Sequence, residues 1–355
     1  MTECPRCLFT SDFAKIGFYQ CNYCDLHDEL ESKSLPSDLM RQIEKVVKAG
    51  KGKKYDCIMG ISGGLDSSTL LYAAVRSWKL RPLVIHFDNN WNAPEATHNM
   101  NQLVQKLNVD CIVYKVNKKE YDDLNDAFLA AGLPDADIPN DIAMTKLMYQ
   151  TADQYGIKYI LNGHDFRTEG STPASWTYMD AKYIQSVYFK YTGKQLENYP
   201  LFTFSDQIKY GLKGIKNIRP FHYIKDRVRM ETDMKDLIGW QDYGGKHCEN
   251  VYTEFVGSYL LPKKFKIDKR IVYLSAQVRS GALNKEQAKE IFAKKPKFDL
   301  SKLGQYENKI ERLIRYPYME RSDFDRYDFK KYKTIIWLLA KFNVVPYTFY
   351  KKYCS

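Results

Sequence analysis

Ser62-Gly63-Gly64-Leu65-Asp66-Ser67 stands directly after an apolar run, Tyr55 to Ile61, and opens a helical stretch, Ser67 to Trp78. Adjacent glycines let a backbone turn sharply and approach a ligand without a Cβ clash. The unpaired amides at a helix start then face an anion. The Ser62 and Ser67 hydroxyls add donors, and Ser68 is placed with them. Asp66 is itself an anion beside an expected phosphate, so it either caps the loop's own amides or holds a magnesium ion bridging to the phosphates. No GxxxxGK[ST] string is present, so this is not a Walker loop.

Working outward, apolar strands alternate with helical segments. Pro82 to Phe87, Asp110 to Val116 and Lys158 to Leu161 read as further strands, with Ala93 to Leu107 and Thr145 to Tyr155 as helices between them. Strands spaced by crossover helices predict an α/β fold with a mostly parallel sheet covered on both faces. Ligands collect at the carboxyl ends of such strands. Two strand ends carry suitable groups: His86-Phe87-Asp88-Asn89-Asn90, and Asn162-Gly163-His164-Asp165 followed by Arg167 and Glu169. Beyond Asn162 the pattern loosens to about Pro220. From there helices dominate, including Ile224 to Ile238 and one from an Asn284 N-cap to Ala293. An amphipathic helix is also expected around Leu39 to Val47.

The amino terminus holds Cys4-Pro-Arg-Cys7 and Cys21-Asn-Tyr-Cys24. Two paired-thiolate turns complete a tetrahedron around zinc, and four cysteines leave no open position, so the expected site is a structural zinc knuckle. The expected division is a knuckle over residues 1–30, a nucleotide domain over 31–222 and a mainly helical substrate region over 223–355. Hydrophobic residues are 44% and charged residues 27%, which excludes a disordered chain. The net charge of +11 suits either a solvated basic surface or an anionic partner. No run reaches the roughly 20 apolar residues of a membrane span, and the first residues show no secretion signal, so the expected location is cytoplasmic.

Strand, SGGxDS and helix in that order resemble the PP-loop, or N-type ATP pyrophosphatase, motif shared by asparagine synthetase, GMP synthetase, NAD synthetase and tRNA-thiolating enzymes. The resemblance implies cleavage of ATP between its α and β phosphates. Ser62, Gly63, Gly64, Asp66, Ser67, Ser68, Asp88 and Gly163 are the implied nucleotide-binding positions, with Mg2+ as counter-ion. His164 and Asp165 are placed at the reaction centre.

From the knuckle to about residue 293 the chain is also similar to the N-acetyl sugar amidotransferases of bacterial surface-polysaccharide and flagellin-sugar biosynthesis. The stretches that carry this are Ile160-Leu161-Asn162-Gly163-His164, Thr168-Glu169-Gly170, Trp176 with Asp180, Tyr243-Gly244-Gly245-Lys246-His247-Cys248-Glu249, Leu261-Pro262-Lys263-Lys264-Phe265 and Asp268-Lys269-Arg270. The implied reaction turns an acetamido group on a nucleotide-linked sugar into an acetamidino group, with ATP and ammonia. Lys246, Lys263, Lys264 and Arg270 are candidates for phosphate contacts, and His247 or Glu249 for moving the protons that ammonia loses. Arg167, Glu169, Trp176 and Asp180 are candidate substrate contacts. Too little chain follows the nucleotide domain for a glutaminase, so a separate glutaminase partner is expected, with a synthase-like channel subunit and no nucleic acid. The rival is a tRNA-thiolating enzyme using Cys111 and Cys248.

Overall fold

A computed structural model describes residues 2–173, 175–342 and 344–354. Five strands form one all-parallel sheet: β1 (Cys57–Gly60), β2 (Pro82–Asp88), β3 (Cys111–Lys115), β4 (Tyr159–Leu161) and β5 (Lys216–Ile218), in the order β3-β2-β1-β4-β5. The central strand β1 pairs β2 on one side and β4 on the other, with Met59 opposite both Val84 and Leu161. Strand order reverses there, so the crevice for a ligand opens at the carboxyl ends of β1 and β4.

Period-two alternation splits the strands between two cores. Ile58, Leu83, Ile85 and Ile160 face a cluster with α5 (Lys118–Ala131), α6 (Ile138–Gln154) and α7 (Ala181–Thr192). Cys57, Met59, Val84 and Leu161 face α2 (Pro36–Gly50), α3 (Leu65–Tyr72), α4 (Pro94–Leu107) and α9 (Val228–Ile238). The sheet is thus covered on both faces, as the alternation of strands and helices predicts. Ile43 and Val46 supply the buried side of α2, and α3 continues in π-helical geometry to Ser77.

Several elements extend or depart from the sequence expectation. The helix expected from Thr145 starts at Ile138, because Pro139 in its first turn loses no hydrogen bond. Residues 118–131, given no element by the sequence reading, form α5, capped by Asn117, whose side chain accepts from the Glu120 amide. Strand β5 and α8 (Phe204–Leu212) fall in the stretch read as loop. Helix α1 (Asn22–Lys33) starts inside the second cysteine pair.

The carboxyl-terminal third joins the sheet's own core. Helix α10 (Val251–Phe255) runs into a π-helical segment, Val256–Phe265, and its Tyr252 and Phe255 pack in the same cluster as Leu124 and Phe128. Helix α11 (Arg270–Ser280) receives the cysteine knuckle, with the Leu8 amide donating to Ser275 Oγ at 3.2 Å and Arg6 to the Arg279 carbonyl at 3.1 Å. Phe9 is fully buried in that contact, worth roughly 1.5–3 kcal/mol. Helix α12 (Lys285–Ala293) begins at Asn284 in a capping box with Gln287, as the N-cap predicts. Helix α13 (Glu307–Leu313) packs on α5, and α14 (Lys333–Lys341) and α15 (Tyr347–Tyr353) close the chain. No helix among the described residues is long and apolar enough to cross a membrane.

Candidate active site

The loop after β1 is held open by backbone geometry. Gly63 has φ +76°, and a Cβ there would lie 1.9 Å from the Ala96 carbonyl oxygen at the start of α4. No L side chain fits either condition. Inside the loop, the Gly64 amide donates to Ser62 Oγ at 3.2 Å and the Ser67 hydroxyl to the Gly64 carbonyl at 3.1 Å. The Leu65 amide donates to the Tyr243 hydroxyl at 2.8 Å. Ser68 is fully buried with no hydrogen-bond partner for its hydroxyl, so it does not reach the opening. Gly163 lies against the loop, where a Cβ would sit 3.3 Å from the Asp66 carbonyl oxygen.

Asp66 is the meeting point of two cations. Arg227 Nη1 donates to its Oδ1 and Lys246 Nζ to its Oδ2, each at 3.0 Å. It does not cap the loop's own amides. Lys246 also reaches Glu169 at 3.5 Å, and its charge is favoured because Asp66 and Glu169 outweigh burial. Burial disfavours the Glu169 charge, yet the hydrogen bond from His164 and nearby Lys246 hold its carboxyl below the usual range. Asp165 is 2% exposed, and burial pushes its carboxyl up despite Arg227 and Arg167, each 3.8 Å away. Arg227 therefore lies between Asp66 and Asp165, stacked over the Phe221 ring. Its sequence context, Ile224-Lys225-Asp226-Arg227-Val228-Arg229, marks it no differently from Arg229, which is exposed.

A cavity of ≈ 1360 Å³ opens beside these groups. Ser62, His164, Glu169, Asp180, Lys246, His247, Glu249 and Arg270 line it, joined by Arg219, His222 and Tyr273, which the sequence reading did not single out. His222 is held neutral, its pKa lowered to about 3 by burial and then by Arg219. His247 takes a left-handed φ of +63° and lies 4.0 Å from Glu249. The segment is anchored to the β2 end. The Ala93 amide donates to the Glu249 carbonyl at 2.9 Å, the Val251 amide to the Trp91 carbonyl at 2.7 Å, and Asn250 to Asn89 at 2.9 Å.

Other expected contacts lie elsewhere or are engaged internally. Arg167 is buried, pairs with Glu31 through two nitrogens, and donates to the Phe221 and His222 carbonyls. Asp88 accepts from Asn90 and Asn92 in its own turn. Asp180 caps α7 through the Tyr183 amide at 2.6 Å. Trp176 packs on Phe13 of the knuckle at 4.7 Å. Arg270 grips Asp268 and donates to the Phe292 carbonyl. Lys263 and Lys264 line a separate small pocket with Glu311 and Arg315. Cys111 begins β3, at the opposite end of the sheet from the cleft, and the Cys248 thiol is pushed up to about 11 by burial, so neither is poised as a thiolate.

The four amino-terminal cysteines are buried and converge. Their sulfurs lie within 4.8 Å of one another, with contacts of 3.7 Å (Cys21–Cys24), 3.8 Å (Cys7–Cys21) and 3.9 Å (Cys4–Cys24). A tetrahedral ion with about 2.3 Å bonds to sulfur sets its ligands about 3.8 Å apart, so the set fits a metal. Arg279 donates to Cys7 Sγ at 3.3 Å, the outer hydrogen bond that steadies a thiolate ligand.

Residues 249–352 match the family model described as LPS biosynthesis protein WbpG-like, C-terminal domain. An uncharacterized protein of Methanocaldococcus jannaschii is 24% identical over 299 residues, covering 81% of this chain and 92% of that protein. Similar solved structures include NMN synthetase from Francisella tularensis, at 11% identity and TM-score 0.33, covering 80% of this chain and 98% of that one. The U34-tRNA thiolase NcsA from Methanococcus maripaludis, solved with its 4Fe-4S cluster, has 11% identity and TM-score 0.32, covering 92% and 99%.

Proposed function

We propose that this chain, whose last third is a WbpG-like domain, is an ATP-dependent N-acetyl sugar amidotransferase of lipopolysaccharide biosynthesis. Its substrate is a nucleotide-linked N-acetyl sugar whose acetamido group becomes an acetamidino group. One observation supports this most strongly. Glu249, the first residue of the matched domain, abuts the phosphate loop, since a Cβ on Gly64 would lie 3.0 Å from its carboxyl. The segment that resembles a sugar-modifying enzyme therefore borders the segment built for phosphate.

In this reading the acetamide oxygen attacks the α phosphorus of ATP and pyrophosphate leaves. Ammonia then adds to the activated carbon and AMP leaves with the former amide oxygen, giving the amidine. The Ser62–Ser67 loop receives the departing pyrophosphate, and Lys246 and Arg227 counter its charge. Asp66 and Glu169, which converge on Lys246, are the carboxylates to hold Mg2+, whose chemistry is to neutralise polyphosphate charge. The His164–Glu169 pair and the His247–Glu249 pair are the proton carriers nearest the cavity. The knuckle cysteines hold Zn2+ as a closed structural site. Ammonia comes from a separate glutaminase, through a channel-forming subunit, and no nucleic acid is needed.

The test is a product assay with purified protein, ATP, Mg2+ and ammonium chloride against a panel of nucleotide-linked N-acetyl sugars. Mass spectrometry reads replacement of oxygen by NH, and AMP is counted alongside. Sugar-dependent AMP release matched by amidine, and lost in Asp66→Ala, supports the proposal. AMP release with tRNA alone would transfer the assignment to thiolation.

A further inference from the structure

The last helices carry an exposed apolar face. On α14, Ile336 and Ala340 are buried, Ile336 in a small cluster with Phe329 and Cys354. Ile335, Leu338 and Phe342 follow at i, i+3 and i+7, which places them on the opposite face. That face is bare, with Ile335 57%, Leu338 43% and Phe342 72% exposed, and Tyr332 and Trp337 exposed on its flanks. Four exposed lysines surround it: Lys330, Lys331, Lys333 and Lys341. None of them forms an ion pair among the described residues, and Lys341 sits 5.3 Å from the Trp337 ring. From Phe329 to Ser355 the sequence contains no Asp or Glu at all.

We propose that this face docks on an anionic lipid surface. Aliphatic and aromatic side chains with lysines along the rim, in a segment without Asp or Glu, match the layered demand of a bilayer interface: apolar groups at the acyl boundary and ammonium groups at the phosphates. A second protein copy would present the same lysines and meet charge repulsion. The length of α14, nine residues, suits lying in the interface and forbids crossing it. Docking here also brings one wall of the large cavity to the membrane, because Pro346, Phe349 and Tyr353 line it just beyond α14.

The experiment is flotation of the full chain with vesicles of phosphatidylglycerol and phosphatidylethanolamine, against vesicles of phosphatidylcholine alone, across a salt series. The expected result is binding to the anionic vesicles only, weakening as salt rises. Each lysine removed from the rim should weaken it by roughly fivefold. The double variant Leu338→Gln, Phe342→Gln changes only exposed side chains, keeps every lysine and leaves the net charge at +11, so it separates docking through this face from attraction by that charge. It should lose binding at least tenfold with an unchanged thermal melt. No flotation at low salt, or equal flotation of the variant, overturns the proposal. So does a dimer seen by sedimentation that the variant dissolves, since a second copy would then cover the face.

Discussion

In the knuckle, one short hairpin and the first turn of a helix bring four thiols together, from Cys4 to Cys24. In the cleft, the charged groups arrive from Asp66, from His164 to Glu169, from Arg227 and from Lys246 to Glu249, and only the sheet and its helices bring them together. The first is written in local spacing and offers a complete ligand set for one ion. The second is an outcome of topology, and its opposed charges hold one another in place. Stability should therefore concentrate at the knuckle and turnover at the cleft.

The largest effect should follow loss of the metal. Binding at structural zinc sites is worth about 10–16 kcal/mol in isolated finger peptides, and the buried cysteines share one apolar cluster with α11. Cys21→Ser, or a strong chelator, should unfold the knuckle and lower the melting temperature by well over 10 °C, read by calorimetry. A melt unchanged by either would break the contrast. Next, Asp66→Ala should reduce ATP-to-AMP turnover by about 10³-fold, roughly 4 kcal/mol in the barrier, with the melt changed far less than by Cys21→Ser.

Arg227→Met sharpens the comparison from the cleft side. Removing one partner of a buried charge set costs about 3 kcal/mol, so both stability and turnover should fall. Asp165 loses a favourable neighbour, and the pH profile of turnover should move upward. The His27 test is smaller. His27 lies on α1 behind the knuckle, 5.1 Å from Phe166, and burial lowers its pKa to about 4. Its folded form stays neutral while the unfolded chain takes up a proton below about pH 6.5. Stability therefore falls as pH drops from about 6.5 to 4, by up to about 1.4 kcal/mol per unit. His27→Gln should remove that part of the slope in denaturant titrations from pH 7 to 4.5. Smallest of all, Lys263→Ala with Lys264→Ala should change turnover less than twofold, since both lie outside the cleft.

The contrast also explains what could be read from the chain before folding. The phosphate loop, four strands and the cysteine set are local patterns, and the sequence states them openly. Helix α5 left a readable signal, with Tyr121, Leu124, Phe128 and Ala131 at helical spacing. Strand β5 left none, because Lys216-Asn217-Ile218 has neither length nor alternation, and it is a strand only because β4 lies beside it. Arg227 falls in the helix expected from Ile224, which starts only at Val228, and Arg219 directly follows β5; nothing nearby says which arginine turns inward. Arg167 looked available for a ligand because its strand-end position was visible and Glu31, far away in sequence, was not.

That last pair bears on modularity. Arg167 is 5% exposed, and the carboxylate that answers it comes from Glu31, on the helix growing directly out of the cysteine pair. A chain cut before residue 53 would leave the guanidinium inside without its bidentate partner, with only Asp165 left at 3.8 Å. The amino-terminal segment is thus no detachable tag that evolution or an experimenter can trade for another. It is a keystone: removed, it takes the adjoining strand end with it.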